Sequence, residues 1–310
     1  MILRASMRTD IPAFYSEWFF RRLQAGSLCV RNPRAPGQVT RYRLSPQVVD
    51  LFVFCTKNPA PMLERLSELS GYGQYWFVTL TPYGPEIEPY VPDKAQILKD
   101  FLRLSQALGP HRVAWRYDPI FLSPGYPLER HIAAFSYMAE VLEGATHTAI
   151  ISFLDLYQKV RRNFPEAQEV CREDRLALGQ ELAAIAQRRG MTLKACAEGD
   201  ELAPYGVDCS GCLTLPVYEQ ALGQGIRLPK TSAVRPGACA CFMGQDVGAY
   251  DTCGHLCRYC YANASPAAAL RNRQAHDPDS PFLLGGPRPD DRITEAQQKS
   301  WLTGQRLLWN

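Results

Sequence analysis

The sequence predicts an α/β fold built on a parallel (β/α) barrel, complete or partial. Short apolar runs, typical of buried strands, alternate with longer amphipathic runs through the first two hundred residues. No glycine-rich phosphate-binding turn follows the first apolar run, which disfavours an open dinucleotide-binding sheet. Charged residues follow nearly every apolar run, as they do at the carboxyl-terminal rim of a barrel.

Six apolar runs are candidates for the strands of this barrel. They lie at residues 2–6, 49–55, 75–81, 112–117, 147–153 and 192–197. The helix candidates lie at residues 12–25, 60–70, 93–108, 127–144 and 168–189. In the third of these helices Ile97, Phe101 and Leu104 recur with a helical period, and Asp93 and Gly109 are suitable as its first and last caps. The run "PRAPGQVTRYRL", between the first helix and the second strand, indicates an inserted loop or hairpin.

These patterns divide the chain into three parts. Residues 1–195 form the predicted barrel core, and residues 196–263 form a cysteine-rich, metal-binding segment that closes or caps the barrel. Residues 264–310 are rich in Pro, Gly, Asp, Arg and Gln, and they predict an irregular C-terminal extension.

Composition and charge exclude few classes of function. Of the 310 residues 46% are hydrophobic and 21% charged, which is ordinary for a soluble globular protein, and a net charge of +3 does not single out nucleic acid or membrane as a partner. No apolar run reaches the ~18 residues of a transmembrane helix, and the start "MILRASMRTD" lacks a secretory signal. We therefore expect a cytoplasmic protein without a membrane partner. In that reducing compartment, eleven cysteines need an explanation other than disulfides.

The distribution of the cysteines indicates metal binding. Cys29, Cys55 and Cys171 are scattered and are interpreted as small hydrophobic side chains. The other eight are clustered. They are Cys196, Cys209, Cys212, Cys239, Cys241, Cys253, Cys257 and Cys260.

Polar side chains at the strand ends are candidates for catalysis, because the carboxyl ends of barrel strands share one rim. The candidates are Arg8, Asp10, Lys57, Arg116, Asp118 and Glu198. The two arginines are suited to binding a carboxylate or phosphate, and the lysine, Asp118 and Glu198 to proton transfer. Asp10 could instead initiate a turn or a helix, since a proline follows closely.

The run "DTCGHLCRYCYAN", residues 251–263, spaces Cys253, Cys257 and Cys260 as C-x₃-C-x₂-C. Three thiolates at this spacing can hold three corners of a cubane iron–sulfur cluster and leave one iron open for chemistry. Structural zinc sites more often pair two short cysteine knuckles. His255 is a less suitable fourth ligand, because it lies between two of the cysteines and would strain the loop.

This run resembles the cluster-binding loop of the radical S-adenosylmethionine enzymes, C-x₃-C-x-aromatic-C, with Tyr259 at the aromatic position. The resemblance implies a [4Fe-4S] cluster on the three cysteines, whose open iron binds S-adenosylmethionine. It also implies an electron donor such as flavodoxin or ferredoxin, and a 5′-deoxyadenosyl radical that acts on a substrate. That substrate, whether small molecule, peptide or nucleic acid, is unknown. In those enzymes the loop follows the first barrel strand, whereas here it follows six strand candidates. Either the barrel is circularly permuted relative to theirs, or the likeness is local.

A wider set of motifs resembles one bacterial family, the domain of unknown function 1848. The motifs are "RTDIPAFYSEWF", "TKNP", "WRYDPI", "SFLDLY", the C-x-C at 239–241 and "DVGAYDTCGHLCRYCYAN". The resemblance covers residues 1–263. It implies a barrel with a C-terminal cysteine cluster and assigns no reaction.

The remaining clustered cysteines predict a second metal site, either zinc or an auxiliary iron–sulfur cluster. We expect its ligands to be Cys196, Cys212, Cys239 and Cys241, with Cys209 as the alternative to Cys196.

Two other functions remain open on the sequence alone. The chain could be a barrel lyase or hydrolase that uses Asp10, Lys57, Arg116 and Asp118, with metal sites that are only structural. It could also be a zinc or iron–sulfur module that binds nucleic acid, since "CRYCYANASPAAALRNR" interleaves aromatic and basic residues.

Overall fold

A computed structural model describes residues 1–229 and 240–306 of the chain. In chain order its strands are β1 (Ile2–Ala5), β2 (Ser27–Arg31), β3 (Gln38–Arg43), β4 (Leu51–Thr56), β5 (Gly73–Thr79), β6 (Val113–Ile120), β7 (Thr148–Phe153), β8 (Thr192–Ala195), β9 (Gln224–Ile226), β10 (Gln245–Asp246), β11 (Arg292–Glu295) and β12 (Leu302–Arg306). The α-helices are α1 (Ile11–Phe14), α2 (Ser16–Gln24), α3 (Ala60–Leu63), α4 (Lys94–Leu108), α5 (Leu128–Val141), α6 (Gln158–Asn163), α7 (Arg172–Arg188), α8 (Leu215–Leu222) and α9 (Pro266–Gln274).

Seven strands form one parallel sheet in the order β10-β1-β4-β5-β6-β7-β8. The predicted α/β class and all six predicted strands are confirmed, within two or three residues at each end. A closed barrel is not confirmed, because β10 and β8 remain edge strands that do not pair with each other within residues 1–229 and 240–306.

Irregular backbone of the cysteine-rich segment lies between these two edges. Beside β8, the Asp208 amide donates to the Leu193 carbonyl at 2.8 Å. Further along, the Phe242 amide, just before β10, donates to the Leu213 carbonyl at 2.9 Å. The place of a regular closing strand is therefore taken by turns and short extended stretches, which a search for apolar periodicity does not detect.

The two faces of the sheet pack against different partners. Alternate strand residues on one face, such as Phe52 and Trp115, join a large apolar core with side chains of α2, α4, α5 and α7. Residues on the other face, such as Val53 and Ala114, pack against the segment around Cys212, α8 and Phe242. Both faces are buried, which explains why the sequences of these strands are continuous apolar runs.

Local signals account for the element ends. Helix α4 begins after Asp93, whose carboxylate accepts from the amides of Ala95 and Gln96, and it ends at Gly109 with a φ of +91°. The capping carboxylate and a final glycine are the expected boundary residues.

Of the predicted loop or hairpin, the structure has a hairpin: β3 lies in the predicted segment and pairs with β2, which precedes that segment, and a third strand joins the pair. Strand β11 pairs parallel to β3, and β12 pairs antiparallel to β9. Together with α9, they give residues 264–306 more regular structure than the sequence indicates. The four residues of β11 are all exposed, so no apolar pattern marks that strand. The boundaries at residues 195 and 263 stay predictions.

Among the helices in residues 1–229 and 240–306, none combines the length and the apolar character that crossing a membrane would require.

Candidate functional site

A cavity of about 270 Å³ opens at the carboxyl ends of the sheet strands. Its wall includes residues that end or follow five of them: Ser6 after β1, Lys57 after β4, Thr79 in β5, Ser152 in β7 and Cys196 after β8. This size lies near the lower end of small-molecule sites.

Most residues predicted to be functional line this cavity. They are Arg8, Asp10, Lys57, Arg116, Asp118, Cys196, Cys212, Cys241, Cys253, Cys257, Tyr259 and Cys260. Glu198 is not among the lining residues, and Cys239 lies outside the described residues.

The loop of residues 251–263 carries three of the thiols and is held in a compact turn. Its backbone takes left-handed conformations at Asp251 and Leu256, with φ of 57° and 53°. The Cys260 amide donates to the Cys257 carbonyl at 3.1 Å, and the Asn263 side-chain amide donates to the Cys253 carbonyl at 2.9 Å. These bonds fold the loop so that all three thiols lie on the cavity wall.

Asp10 connects this loop to the start of the chain. Its Oδ1 accepts from the Ala13 amide at 2.9 Å, which caps helix α1. Its Oδ2 accepts from the Lys57 amide at 2.7 Å and lies 2.9 Å from His255 Nε2. The other ring nitrogen of His255 lies 3.1 Å from the Tyr90 carbonyl. Both nitrogens therefore have protein partners, and His255 fixes the loop rather than offering a metal ligand.

Glu88 forms a second anchor for the loop, and no sequence pattern indicates this role. Its buried carboxylate accepts from Lys57 Nζ at 2.9 Å and from the Thr81 hydroxyl at 2.7 Å, and it bonds Lys94 and the Tyr259 hydroxyl. Burial opposes ionisation, but the charges of the two lysines outweigh it and lower the pKa of Glu88 to about 2.

The three loop cysteines are half-buried, and the surroundings of their thiols favour the neutral form. Burial raises the pKa of Cys253 well above its ordinary value and that of Cys257 to about 12, even though Lys57 acts in the opposite direction on Cys257. Burial also raises the pKa of Cys260. Thiolates at these positions therefore need a cationic partner, and a bound metal centre displaces thiol protons in this way.

A second group of thiols lines the same cavity. The sulfur of Cys212 lies 3.8 Å from that of Cys196 and 3.9 Å from that of Cys241. Cys209, the alternative to Cys196, is not a lining residue, and its thiol points to the Val207 carbonyl at 3.6 Å. Of these two alternatives, Cys196 and not Cys209 therefore lies beside Cys212.

The two arginines already have partners inside the protein. Arg116 is ion-paired with Asp118, which also accepts from the Ser152 hydroxyl at 3.2 Å. The guanidinium of Arg8 lies 4.0 Å from Asp246 and over the ring of Tyr250.

Glu198 lies behind the end of β7. Its carboxylate accepts from the Phe153 amide at 2.9 Å and lies 3.8 Å from Arg175. Burial raises the pKa of Glu198 to about 7. It therefore supports the cavity wall, and its predicted role in proton transfer stays a prediction.

No three His, Cys, Asp or Glu side chains converge as ligands of one metal ion within residues 1–229 and 240–306. An iron–sulfur cluster poses a different requirement, because each cysteine binds its own iron and the sulfurs do not share one centre. The donor set of the loop fits a cluster in number, residue type and burial.

Residues outside the predicted set also line the cavity. Cys55 and Met7 lie on its wall with sulfur atoms 3.3 Å apart, and the Tyr261 hydroxyl donates to the Met7 carbonyl at 2.5 Å. Cys55 ends an apolar run and Met7 follows a strand, so the strand-end argument that selected Arg8 could also have selected them.

Residues 2–262 match a family model described as Domain of unknown function (DUF1848). The chain belongs to this family. No curated protein matches this DUF1848 chain. A solved structure, the Xanthomonas citri FimX EAL domain in complex with c-diGMP, aligns with 12% identity over 64% of this chain and 90% of that chain. Its TM-score is 0.19, so this likeness carries no argument about fold or function.

Proposed function

We propose that this DUF1848 chain is an iron–sulfur enzyme that uses S-adenosylmethionine for radical chemistry on a substrate bound in the cavity. Cys253, Cys257 and Cys260 would hold a [4Fe-4S] cluster. When bound, such a cluster supplies the electron that cleaves the sulfonium bond of S-adenosylmethionine and yields a 5′-deoxyadenosyl radical. The seven-stranded parallel sheet and the resemblance of the loop to the radical enzymes support this proposal.

One observation carries it: three half-buried cysteines at C-x₃-C-x₂-C spacing share one cavity with Arg8, Lys57, Arg116 and Asp118. A structural metal site does not need an accessible cavity or charged residues on its wall. A site that binds and orients a small molecule needs both.

Residues of this chain would position the loop and the bound molecule. Asp10 and Glu88 hold the loop from two sides through His255 and Tyr259. Lys57 is buried beside Cys257, where its positive charge favours the thiolate form of that ligand.

One unpaired polar atom on the cavity wall supports a bound molecule there. The hydroxyl of Thr9, which lines the cavity, has no hydrogen-bond partner among the described residues. Buried polar atoms are rarely left unpaired, so a polar ligand in the cavity or an ordered water would satisfy this hydroxyl.

Anaerobic isolation tests the cluster. We expect a brown protein that contains iron and acid-labile sulfide, and less of both in Cys257→Ala with the fold retained by circular dichroism. The exposed Cys171 lies outside the cavity, so Cys171→Ala is the matched control and should keep its iron. Equal iron in Cys257→Ala and the wild type would remove the basis of the proposal.

Incubation of the reduced protein with S-adenosylmethionine tests the radical step. We expect release of 5′-deoxyadenosine by the wild type and by Cys171→Ala, and none by Cys257→Ala. An iron-loaded wild type that releases no 5′-deoxyadenosine would leave the cluster assigned and refute the use of S-adenosylmethionine. A colourless protein that contains zinc alone would favour a barrel hydrolase or lyase with structural metal.

A further inference from the structure

Outside the loop, the thiol of Cys212 lies beside two other thiols, those of Cys196 and Cys241. Its sulfur lies 3.8 Å from that of Cys196 and 3.9 Å from that of Cys241. In a tetrahedral thiolate site with metal–sulfur bonds of about 2.3 Å, neighbouring sulfurs lie about 3.8 Å apart. Both measured separations match the edge of such a tetrahedron.

The surroundings of Cys241 are those of a negatively charged sulfur. The backbone amides of Cys212 and Leu213 both donate to its sulfur, at 3.2 and 3.3 Å. A neutral thiol is a weak acceptor, so two amide donors on one sulfur are arranged for a thiolate.

Gly211 makes this arrangement sterically possible. Its φ is +116°, and a Cβ added there would lie 2.7 Å from the Cys241 sulfur. A side chain at this position would displace either the sulfur or the turn that presents the two amides.

Arg116 provides an outer contact to the group. Its guanidinium lies 3.8 Å from the Cys196 sulfur and is held on its other side by Asp118. Three thiolates carry more negative charge than one divalent ion neutralises. A buried cation beside one of the thiolates offsets the remaining charge.

We propose that Cys196, Cys212 and Cys241 bind a second, thiophilic metal centre, separate from the one on the loop. The sulfurs would move slightly to surround the metal, since no three ligand side chains in the described ranges converge on one point. Three thiolates leave one position of a tetrahedral ion for a further ligand. This second centre requires only thiolate coordination and does not depend on radical chemistry at the loop.

Elemental analysis of the full-length protein separates the two centres. We compare anaerobically isolated wild type, Cys212→Ala, Cys257→Ala and the control Cys171→Ala. Cys212→Ala should lose one class of metal and keep the metal of the loop, and Cys257→Ala should show the reverse. Lost zinc would identify a single ion, and lost iron with sulfide would identify a cluster. Unchanged metal content in a folded Cys212→Ala would overturn the proposal.

A second experiment covers the case in which Cys212→Ala does not fold. Metal-free protein with all three loop cysteines replaced by alanine is titrated with Zn²⁺ alone. A separate metal-free sample is titrated with Co²⁺, whose thiolate complexes absorb strongly. We expect roughly one ion per chain, with a thiolate-to-cobalt band. The same background with Cys241→Ala should lose that band. Absence of metal binding in the loop-deficient protein would refute the second site and would leave the proposal for the loop unaffected.

Discussion

Replacing Glu88 by glutamine should destabilise the protein and loosen the loop at the same time. The carboxylate is completely buried and is the common partner of two lysines, a tyrosine and a threonine. Glutamine keeps the shape of the side chain but removes its charge. The two lysines Lys57 and Lys94, which are only partly exposed, would then be left without their anion.

The pKa of Glu88 sets the size of the effect. A fall from 4.5 to about 2 corresponds to on the order of 3 kcal/mol of stability at neutral pH. Loss of one member of a buried ion pair costs a similar amount, about 3–5 kcal/mol. The two lysines contribute unequally: Glu88 raises the pKa of Lys57 against the effect of burial, whereas burial lowers that of Lys94.

Urea unfolding of the metal-free protein measures this loss. Glu64→Gln is the matched control, because the Glu64 side chain is 81% exposed in its ion pair with Arg103. The control should change the free energy of unfolding by less than about 1 kcal/mol. If Glu88→Gln were as stable as the control, the reasoning about the buried pair would be refuted.

The same carboxylate gives the stability a pH dependence with a known sign. Because the folded pKa lies below the unfolded value, the contribution is complete above pH 4.5 and is lost as the pH falls towards about 2. Unfolding free energies of the wild type should decrease through that window. Glu88→Gln should lack this part of the decrease.

Three further changes test other contacts. Asp10→Asn should keep the cap of helix α1 but weaken the bond to His255, which we expect to raise amide hydrogen exchange within residues 251–263 without unfolding the chain. Gly211→Ala should destabilise the protein and reduce metal binding at Cys241. The control Gly144→Ala, at a residue with positive φ but open space, should lower the free energy of unfolding by only about 1 kcal/mol. Equal metal content in both variants would argue against the crowding at Gly211. Burial lowers the pKa of His131 from 6.5 to about 4, so the unfolded chain takes up this proton first and the His131 contribution to stability should fall by about 2 kcal/mol between pH 7 and pH 5. Burial raises the pKa of Glu198 to about 7, which changes stability in the opposite direction over the same range, so the test is the difference in urea unfolding between the wild type and His131→Gln. An equal pH dependence in the two proteins would exclude the contribution of His131.

The strands and the rim of the site were predictable because they depend on local patterns. Apolar runs such as residues 49–55 mark buried strands, and Lys57 and Cys196 directly follow strands that parallel pairing brings into one sheet. The short spacing of Cys253, Cys257 and Cys260 required no knowledge of the fold. Each of these signals lies within a few residues of the chain.

Features that arise only from distant contacts were not predictable. Glu88 lies in an irregular segment between β5 and α4, and its role depends on Lys57 and Tyr259, which come from other parts of the chain. Strand β11 has four exposed residues, and it forms through backbone pairing with the edge of β3. Closure of a barrel depends on the two edge strands meeting, and turns between them leave no periodic pattern.

The path of the chain also constrains when metal can be delivered. His255 and its partner Asp10 are separated by 245 positions, so the thiols leave the ribosome long after the residues that hold their loop. A nascent chain therefore contains Asp10 before it contains the loop cysteines. The cysteines reach their positions on the cavity wall only when the sheet has formed. Under the proposed function, metal would therefore bind the loop only after the chain has been synthesised past residue 260. A product truncated before residue 253 would keep the strands of the seven-stranded sheet but not the loop cysteines.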